Sequence, residues 1–232
     1  MTKKRMSSWP AAAIVIVSIC IRVEPVMADE TGFYVGANAL SLLSTYRRPD
    51  LDSATTAVFG GAANGYSMGP SSVERNHIMW SADFGYMVSR NLGIEVSYLD
   101  LGSLQYSGFG TVTASDGTAS EVHLNLDVRA HGPAVALVGA LPMTNVWEIN
   151  ARVGAIEAKT KTNYRTAVGE DVQSGNLSQS STSLLASVGT AFTVTTHLTL
   201  RLDYLRIQHI KEKGLERAFN VDGVTAGAAL VF

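Results

Sequence analysis

Cysteine is almost absent: Cys20 stands alone in a chain of 232 residues, so no disulfide can form within it. An excess of charge of one sign is absent too. Eighteen Lys and Arg face 20 Asp and Glu, which leaves no electrostatic case for nucleic acid. Beyond the N-terminus no apolar run is long enough for a membrane helix. Metal-ligand spacing is missing, since no paired His at i, i+2 comes with a carboxylate. Gly60-Gly61 and the other glycines of that region follow no phosphate-loop pattern. Neither a cofactor nor a metal is therefore expected. The length suits one domain.

The first residues have the form of an export signal. Lys3, Lys4 and Arg5 make a positive start, Ala11 to Ile21 an apolar core too short to span a bilayer comfortably, and Pro25 breaks any helix. Val26-Met27-Ala28 puts small residues at −3 and −1 of a cut before Asp29. Residues 1–28 are read as a secretory signal peptide and residues 29–232 as the mature domain. A lipid-anchor site at Cys20 would need a small residue before it, and Ile19 is bulky. The cut also removes four basic residues and one acidic residue, leaving 14 against 19 and a formal net charge of −5. An exported chain with no membrane helix is either periplasmic or an outer-membrane barrel.

The strand pattern chooses between these. At the C-terminus Val224, Ala226, Ala228, Leu230 and Phe232 share one face, opposite Gly223, Thr225, Gly227, Ala229 and the apolar Val231. A free edge ending on Phe232 would invite aggregation; in a closed barrel it has neighbours on both sides. Seven earlier strands alternate in the same way. Phe33, Val35, Ala37 and Ala39 oppose Tyr34, Gly36 and Asn38; Trp80, Ala82, Phe84, Tyr86 and Val88 oppose Ser81, Asp83, Gly85 and Met87. Ile94, Val96 and Tyr98 oppose Glu95 and Ser97. Val122, Leu124, Leu126 and Val128 alternate with His123, Asn125, Asp127 and Arg129. In that fourth strand a bulge is expected at His131-Gly132-Pro133. Trp147, Ile149, Ala151 and Val153 oppose Glu148, Asn150, Arg152 and Gly154. The sixth strand is Ser183 to Val194, and the seventh sets Leu198, Leu200, Leu202 and Tyr204 against Thr199, Arg201 and Asp203.

Connections between these strands run long, short, long, short, long, short, long. The long ones, expected as polar loops, are Arg47–Asn76, Ser103–Ser120, Lys159–Thr182 and Gln208–Asn220. That asymmetry, with strands of about ten residues, is the sequence signature of an outer-membrane barrel. The charges share a face with Gly and Ser, opposite the aromatics, which reverses the polarity of a soluble barrel. The fold class read from this is all-β: an eight-stranded antiparallel up-and-down transmembrane β-barrel. Both termini would be periplasmic, four loops would lie outside, and the first strand would close on the last.

Asp83 to Gly102, DFGYMVSRNLGIEVSYLDLG, resembles the second hairpin unit of the OmpA-like outer-membrane barrel family. Gly32 to Ala37 resembles its opening strand, and Ala191 to Tyr204 its sixth and seventh strands. The resemblance implies a barrel interior packed as a polar network, not an open pore. Inward Glu95, Arg152, Arg201 and Asp203 fall where its charges are expected, with Asp83 as an addition. Charges in so narrow a barrel are partly desolvated and must pair. The acid that the family sets in the sixth strand is Ala191 here, so Arg201 needs another partner, Asp203 or Glu95. Val231 stands at a commonly polar position, and the last strand is expected to leave the network to other strands. Phe232 matches the terminal aromatic that outer-membrane assembly machinery recognises. The peptidoglycan-binding domain of longer relatives is not expected.

No catalytic residue is assigned. His123 on the fourth strand and Ser97 on the third are the pair a lipid A acyl-modifying enzyme would need, but nothing places them at one level. Eight strands enclose a space that side chains fill, which leaves a narrow channel for small solutes as an alternative. Phe59, Tyr66 and Met68 in the first long loop could make contacts. The expected role is non-enzymatic: a monomer in the Gram-negative outer membrane, surface-exposed, serving membrane integrity, with adhesion through its loops. Expected partners are outer-membrane lipids and lipopolysaccharide, the assembly machinery, and a host or matrix ligand.

Overall fold

The computed structural model describes residues 31–44, 48–60, 65–76, 79–212 and 215–232. The expected leader, residues 1–28 with Cys20, lies outside them. The described elements are β1 (Gly32–Ser44), α1 (Arg48–Val58), β2 (Tyr66–Asn76), β3 (Met79–Ser89), β4 (Leu92–Thr113), β5 (Ala119–Pro142), β6 (Trp147–Val168), β7 (Asp171–Thr195), β8 (Leu198–Glu212) and β9 (Leu215–Val231). β1 and β3 to β9 pair antiparallel in chain order, and β9 returns to β1. The result is a closed eight-stranded ring. β2 continues β3 along the same edge of β4, pairing Ser103 to Val112 where β3 pairs Leu92 to Asp100. Among the described residues no helix is long and apolar enough to cross a membrane.

The seam lies at the short-turn end. Phe232 N donates to Phe33 O at 2.9 Å, and Tyr34 faces Val231 across the β1–β9 pair. Phe33 packs on Tyr86 (ring centroids 4.6 Å apart) and on Phe84 (5.8 Å), while Trp147 lies exposed on β6 at the same end. Further up the wall Trp80 meets Tyr98 at 6.0 Å. Aromatic rows at both margins of an apolar belt are the expected anchoring of a membrane barrel.

The long connections differ from the expected loops. Ser103–Ser120 and Lys159–Thr182 are the upper parts of two hairpins, so β4 to β7 run 22, 24, 22 and 25 residues. About ten residues suffice to cross a bilayer. Thr111, Val112 and Thr113, and Thr160, Thr162, Tyr164 and Thr166, are β-favouring side chains on a ladder that continues without a break. The tips carry hairpin chemistry. Asp116 Oδ1 accepts from Thr118 N at 2.9 Å beside Gly117 (φ 85°), and Gly169 (φ 57°) begins the two-residue turn between Val168 and Asp171. The expected loop Arg47–Asn76 contains α1 and β2. In the Gln208–Asn220 connection the described residues continue β8 and β9.

The bulge lies on the neighbouring strand. β5 pairs β6 in one register through His131, and its even-numbered residues stay inward from Val122 to Ala140. The shift is in β4, where the register with β5 slips between Asp100 and Ser103. Gly102 has φ 74° there, a conformation open to glycine, and Asp100 Oδ1 accepts from its N–H at 2.9 Å. Inward residues of β4 are therefore odd-numbered below the bulge (Glu95, Leu99, Leu101) and even-numbered above it (Tyr106, Gly108).

Consequently, the wall has two storeys of opposite polarity. Below the bulge Val96, Val135, Leu137, Val153 and Leu202 point out and stay exposed, about half their surface in each case. Above it, Tyr106 and Val122 point in and are 1% exposed, while His123, Asn125, Arg129, Lys159 and Lys161 point out. The alternation Val122-Leu124-Leu126-Val128 is thus the inner face of β5.

Candidate functional site

The side chains that carry charge inside the lower storey come from β3, β4, β6 and β8. Alternation turns Asp83, Glu95, Arg152, Arg201 and Asp203 inward because each shares a face with Gly, Ser or Asn. The ring brings the last four together. Arg152 Nε lies 3.1 Å from Glu95 Oε1, and its Nη1 3.0 Å from Asp203 Oδ1. The same Nη1 donates to Asn150 Oδ1 at 3.2 Å. Arg201 Nη1 stands 3.4 Å from Glu95 Oε2, opposite Ala191 in the register. Side chains of Glu95 and Asp203 keep 5% of their surface and Arg152 9%, so the cluster is out of bulk solvent. Removing one partner from such a cluster leaves an uncompensated buried charge.

Two members come from β1, a strand without charge that the sequence does not mark as part of the network. Tyr34 Oη donates to Glu95 Oε2 at 2.7 Å, and its ring lies 4.5 Å beneath the Arg201 guanidinium, a cation–π contact. The ring also covers the backbone of Gly85: a Cβ there would come within 2.1 Å of Tyr34 Cζ. Asn38 Nδ2 donates to Ser81 Oγ at 2.9 Å and to Asp83 Oδ2, so Asp83 is held by an amide. Their signal was present in the alternation, since Tyr34 and Asn38 share the face of Gly36. The last strand contributes as well, contrary to expectation, through Thr225 Oγ1 at 3.5 Å from Asp203 Oδ2. Its small inner side chains let the neighbouring β8 carboxylate reach across.

Above the charges the lumen is lined by apolar side chains. A cavity of about 40 Å³ separates Asp83, Glu95, Arg152 and Asp203 from Leu40, Leu99, Leu185 and Leu205. Those leucines belong to an apolar cluster that includes Ile156, Ile207, Ile210 and Val221. Higher still, α1 lays Leu51 on Tyr106 and Leu124. Tyr106 Oη donates to Asp52 Oδ1 at 2.9 Å and accepts from Thr55 Oγ1 at 3.2 Å. Burial, reinforced by Asp52, pushes the Tyr106 phenol up to about 12. The residues expected as loop contacts belong to this cap. Tyr66 is buried, stacked on Phe59 at 5.1 Å, and Met68 packs on the cluster. They differ from the expected loop contacts because they lie on the inner face of β2 and under α1, not on a free loop.

Ser97 lines the small cavity, whereas His123 lies on the outer wall of the upper storey, edge-on to Phe109 at 4.7 Å and 3.5 Å from Glu121. The two stand on opposite sides of the barrel wall. Phe232 follows β9 on the lipid-facing side of the short-turn rim, 73% exposed.

A family model for the OmpA-like transmembrane domain matches residues 31–232. Outer membrane protein A of Serratia marcescens is 27% identical over 162 residues, which is 68% of this chain and 40% of that protein. The chain thus matches well under half the length of that relative. Among solved structures, Ail, the attachment invasion locus protein of Yersinia pestis, is 13% identical with a TM-score of 0.43, covering 89% of this chain and 100% of that one. The N-terminal β-barrel domain of Pseudomonas aeruginosa OprF is 11% identical with a TM-score of 0.38, covering 88% and 98%. With the match running the whole length of the ring, the chain belongs to the OmpA-like transmembrane domain family and is an outer-membrane β-barrel.

Proposed function

We propose that this barrel is a non-enzymatic, surface-exposed structural element of the outer membrane, with a sealed lumen. The observation that carries the reading is the stacked interior. A paired charge layer lies under an apolar cluster of Leu99, Ile156, Leu205 and Ile207, and α1 covers a second one. Water and ions do not readily cross a packed apolar layer. Membrane integrity follows from a stiff, closed ring of hydrogen-bonded strands. The tall hairpins β4–β5 and β6–β7 carry polar side chains outward, and adhesion to a host or matrix ligand would use those walls. Lipopolysaccharide is the proposed lipid partner, and the exposed Phe232 at the rim is the proposed signal for the assembly machinery. The opposite orientations of Ser97 and His123 count against an acyl-modifying activity.

The test is planar-bilayer recording of the purified full chain. A silent bilayer, or brief small events only, is the expected result. A large, stable, voltage-tolerant conductance would overturn the sealed-lumen reading.

A further inference from the structure

The outer wall of β5 and β6 changes character abruptly along its height. Outward residues of β6 run Trp147, Ile149, Ala151, Val153 and Ala155, then Glu157, Lys159 and Lys161. Those of β5 run Leu141, Leu137, Val135 and Pro133, then His131, Arg129 and Asp127. The register sets His131 opposite Lys159 and Arg129 opposite Lys161. Two adjacent rows therefore place four nitrogen-bearing side chains on one patch. Its base is roughly 5 Å across and 7 Å high, from strand spacing and rise.

Three acids border this patch. Glu157 lies one row below and Asp127 one row above, the latter 3.5 Å from Arg129. Asp100 faces His131 from β4, its Oδ1 occupied by the Gly102 N–H. Across β7, Lys159 and Lys161 face the hydroxyls of Ser180 and Ser178. Both lysines are exposed.

Height identifies what they meet. From Trp147 to Lys159 the strand climbs about 40 Å, or about 30 Å along the membrane normal after a tilt of 35–45°. The apolar belt of such barrels is about 25 Å tall. The basic rows thus stand just beyond the outer margin, with the row of Pro133 and Glu157 between them and lipid-facing Val135 and Val153. At that level the outer leaflet presents the phosphates of its glycolipid.

We propose that this wall is a binding site for the phosphorylated glycolipid of the outer leaflet. Arg129, Lys159 and Lys161 take its phosphates, with His131 beside them, while the acyl chains lie on Val135 and Val153. Arg129 can grip a phosphate through two parallel N–H groups, and the lysines add point charges. Continuity with the lipid-facing belt favours a lipid over a soluble polyanion. The inference rests on the outward orientation of the tall hairpins adopted above.

The test uses the full chain folded into phosphatidylcholine vesicles. Diphosphoryl lipid A, and lipid A stripped of both phosphates, are titrated and bound lipid is read by native mass spectrometry. The triple variant R129Q/K159Q/K161Q should bind diphosphoryl lipid A on the order of a hundredfold more weakly, about fivefold per positive charge removed. Arg90→Gln, at the opposite rim, should bind as the unaltered protein does, and removal of the phosphates should abolish the difference. Heat-modifiable migration checks that the triple variant is folded; if it is not, K159Q and K161Q singly should each lose about fivefold. Equal binding by the variants and the unaltered protein overturns the proposal, as does indifference to the phosphates. Soluble heparin is titrated in parallel; loss of its binding by the triple variant with lipid A binding intact also overturns the proposal, in favour of a soluble polyanion. A large conductance through the same vesicles would sink the sealed-lumen reading and leave this titration standing.

Discussion

The lower and upper storeys of this barrel use the same strands and opposite rules. Below the β4 bulge the wall is apolar outside, at Leu137 and Val153, and holds Glu95, Arg152 and Asp203 inside. Above it the wall is polar outside, at Asn125 and Lys161, and packs Tyr106, Val122 and Leu124 inside. The solvent outside sets the difference. Where lipid is the solvent, apolar side chains are free to face out, and the interior can be polar provided its charges pair. Where water is the solvent, the same ladder must bury its apolar face inward, as a soluble barrel does. One β strand, β5, passes through both regimes without changing parity, so its odd-numbered residues remain outward while their chemistry changes from Asn125 to Leu137.

The sharpest way to break this contrast is at the paired charges. Arg152→Met leaves Glu95 and Asp203 buried without their shared cation and should cost about 3–5 kcal/mol. The measurement is the urea midpoint of the protein in vesicles, followed by heat-modifiable migration; a loss below about 1 kcal/mol would mean that water screens the cluster.

The second prediction tests the outer face of a single strand. Leu137→Arg, in the apolar belt, should cost about 2–4 kcal/mol. Asn125→Arg, twelve residues away on the same face of β5, should change stability by less than about 0.5 kcal/mol. Equal effects in the same unfolding assay would erase the boundary between the storeys.

A smaller loss than at the charges or the belt is expected at the cap. Tyr106→Phe removes the bond to Asp52 and should loosen α1 by about 1.5 kcal/mol. The folded-state phenol sits near 12, above its ordinary value of 10, so its contribution is complete below pH 10 and is lost as pH rises through about 12. Protease cleavage within α1 should increase over that window in the unaltered protein. The variant should already be cleaved at neutral pH and show no such step. A step of the same size in both would assign the transition to another group.

Much of the lower storey was legible from alternation alone. Asp83, Glu95, Arg152, Arg201 and Asp203 announce themselves as charges on the small-residue face of strands whose other face is greasy. Tyr34 and Asn38 share that face but carry no formal charge, so alternation alone does not mark them as partners of the ion pairs. The upper storey was read as loops because its hairpins alternate weakly: Thr, Ser, Asn and Gly occupy both faces of Lys159–Thr182. Turn chemistry at Asp116-Gly117 and Gly169 was the signal that could have shown strands instead. The bulge was expected at Gly132-Pro133, yet it formed opposite, at Gly102, because β5 kept its pairing with β6.

The sequence by itself determined the period-2 pattern, and with it an eight-stranded ring, the β1–β9 seam and the sidedness of the lower wall. These follow from local rules, since side chains alternate and apolar faces seek an apolar solvent. Tertiary structure decided which charges meet, because Glu95 and Asp203 lie 108 residues apart in sequence and share Arg152 only once the ring is closed. It also decided where β4 turns its other face inward. A one-residue slip in β4 reverses the faces of that strand, and pairing partners, not local composition, choose where the slip occurs.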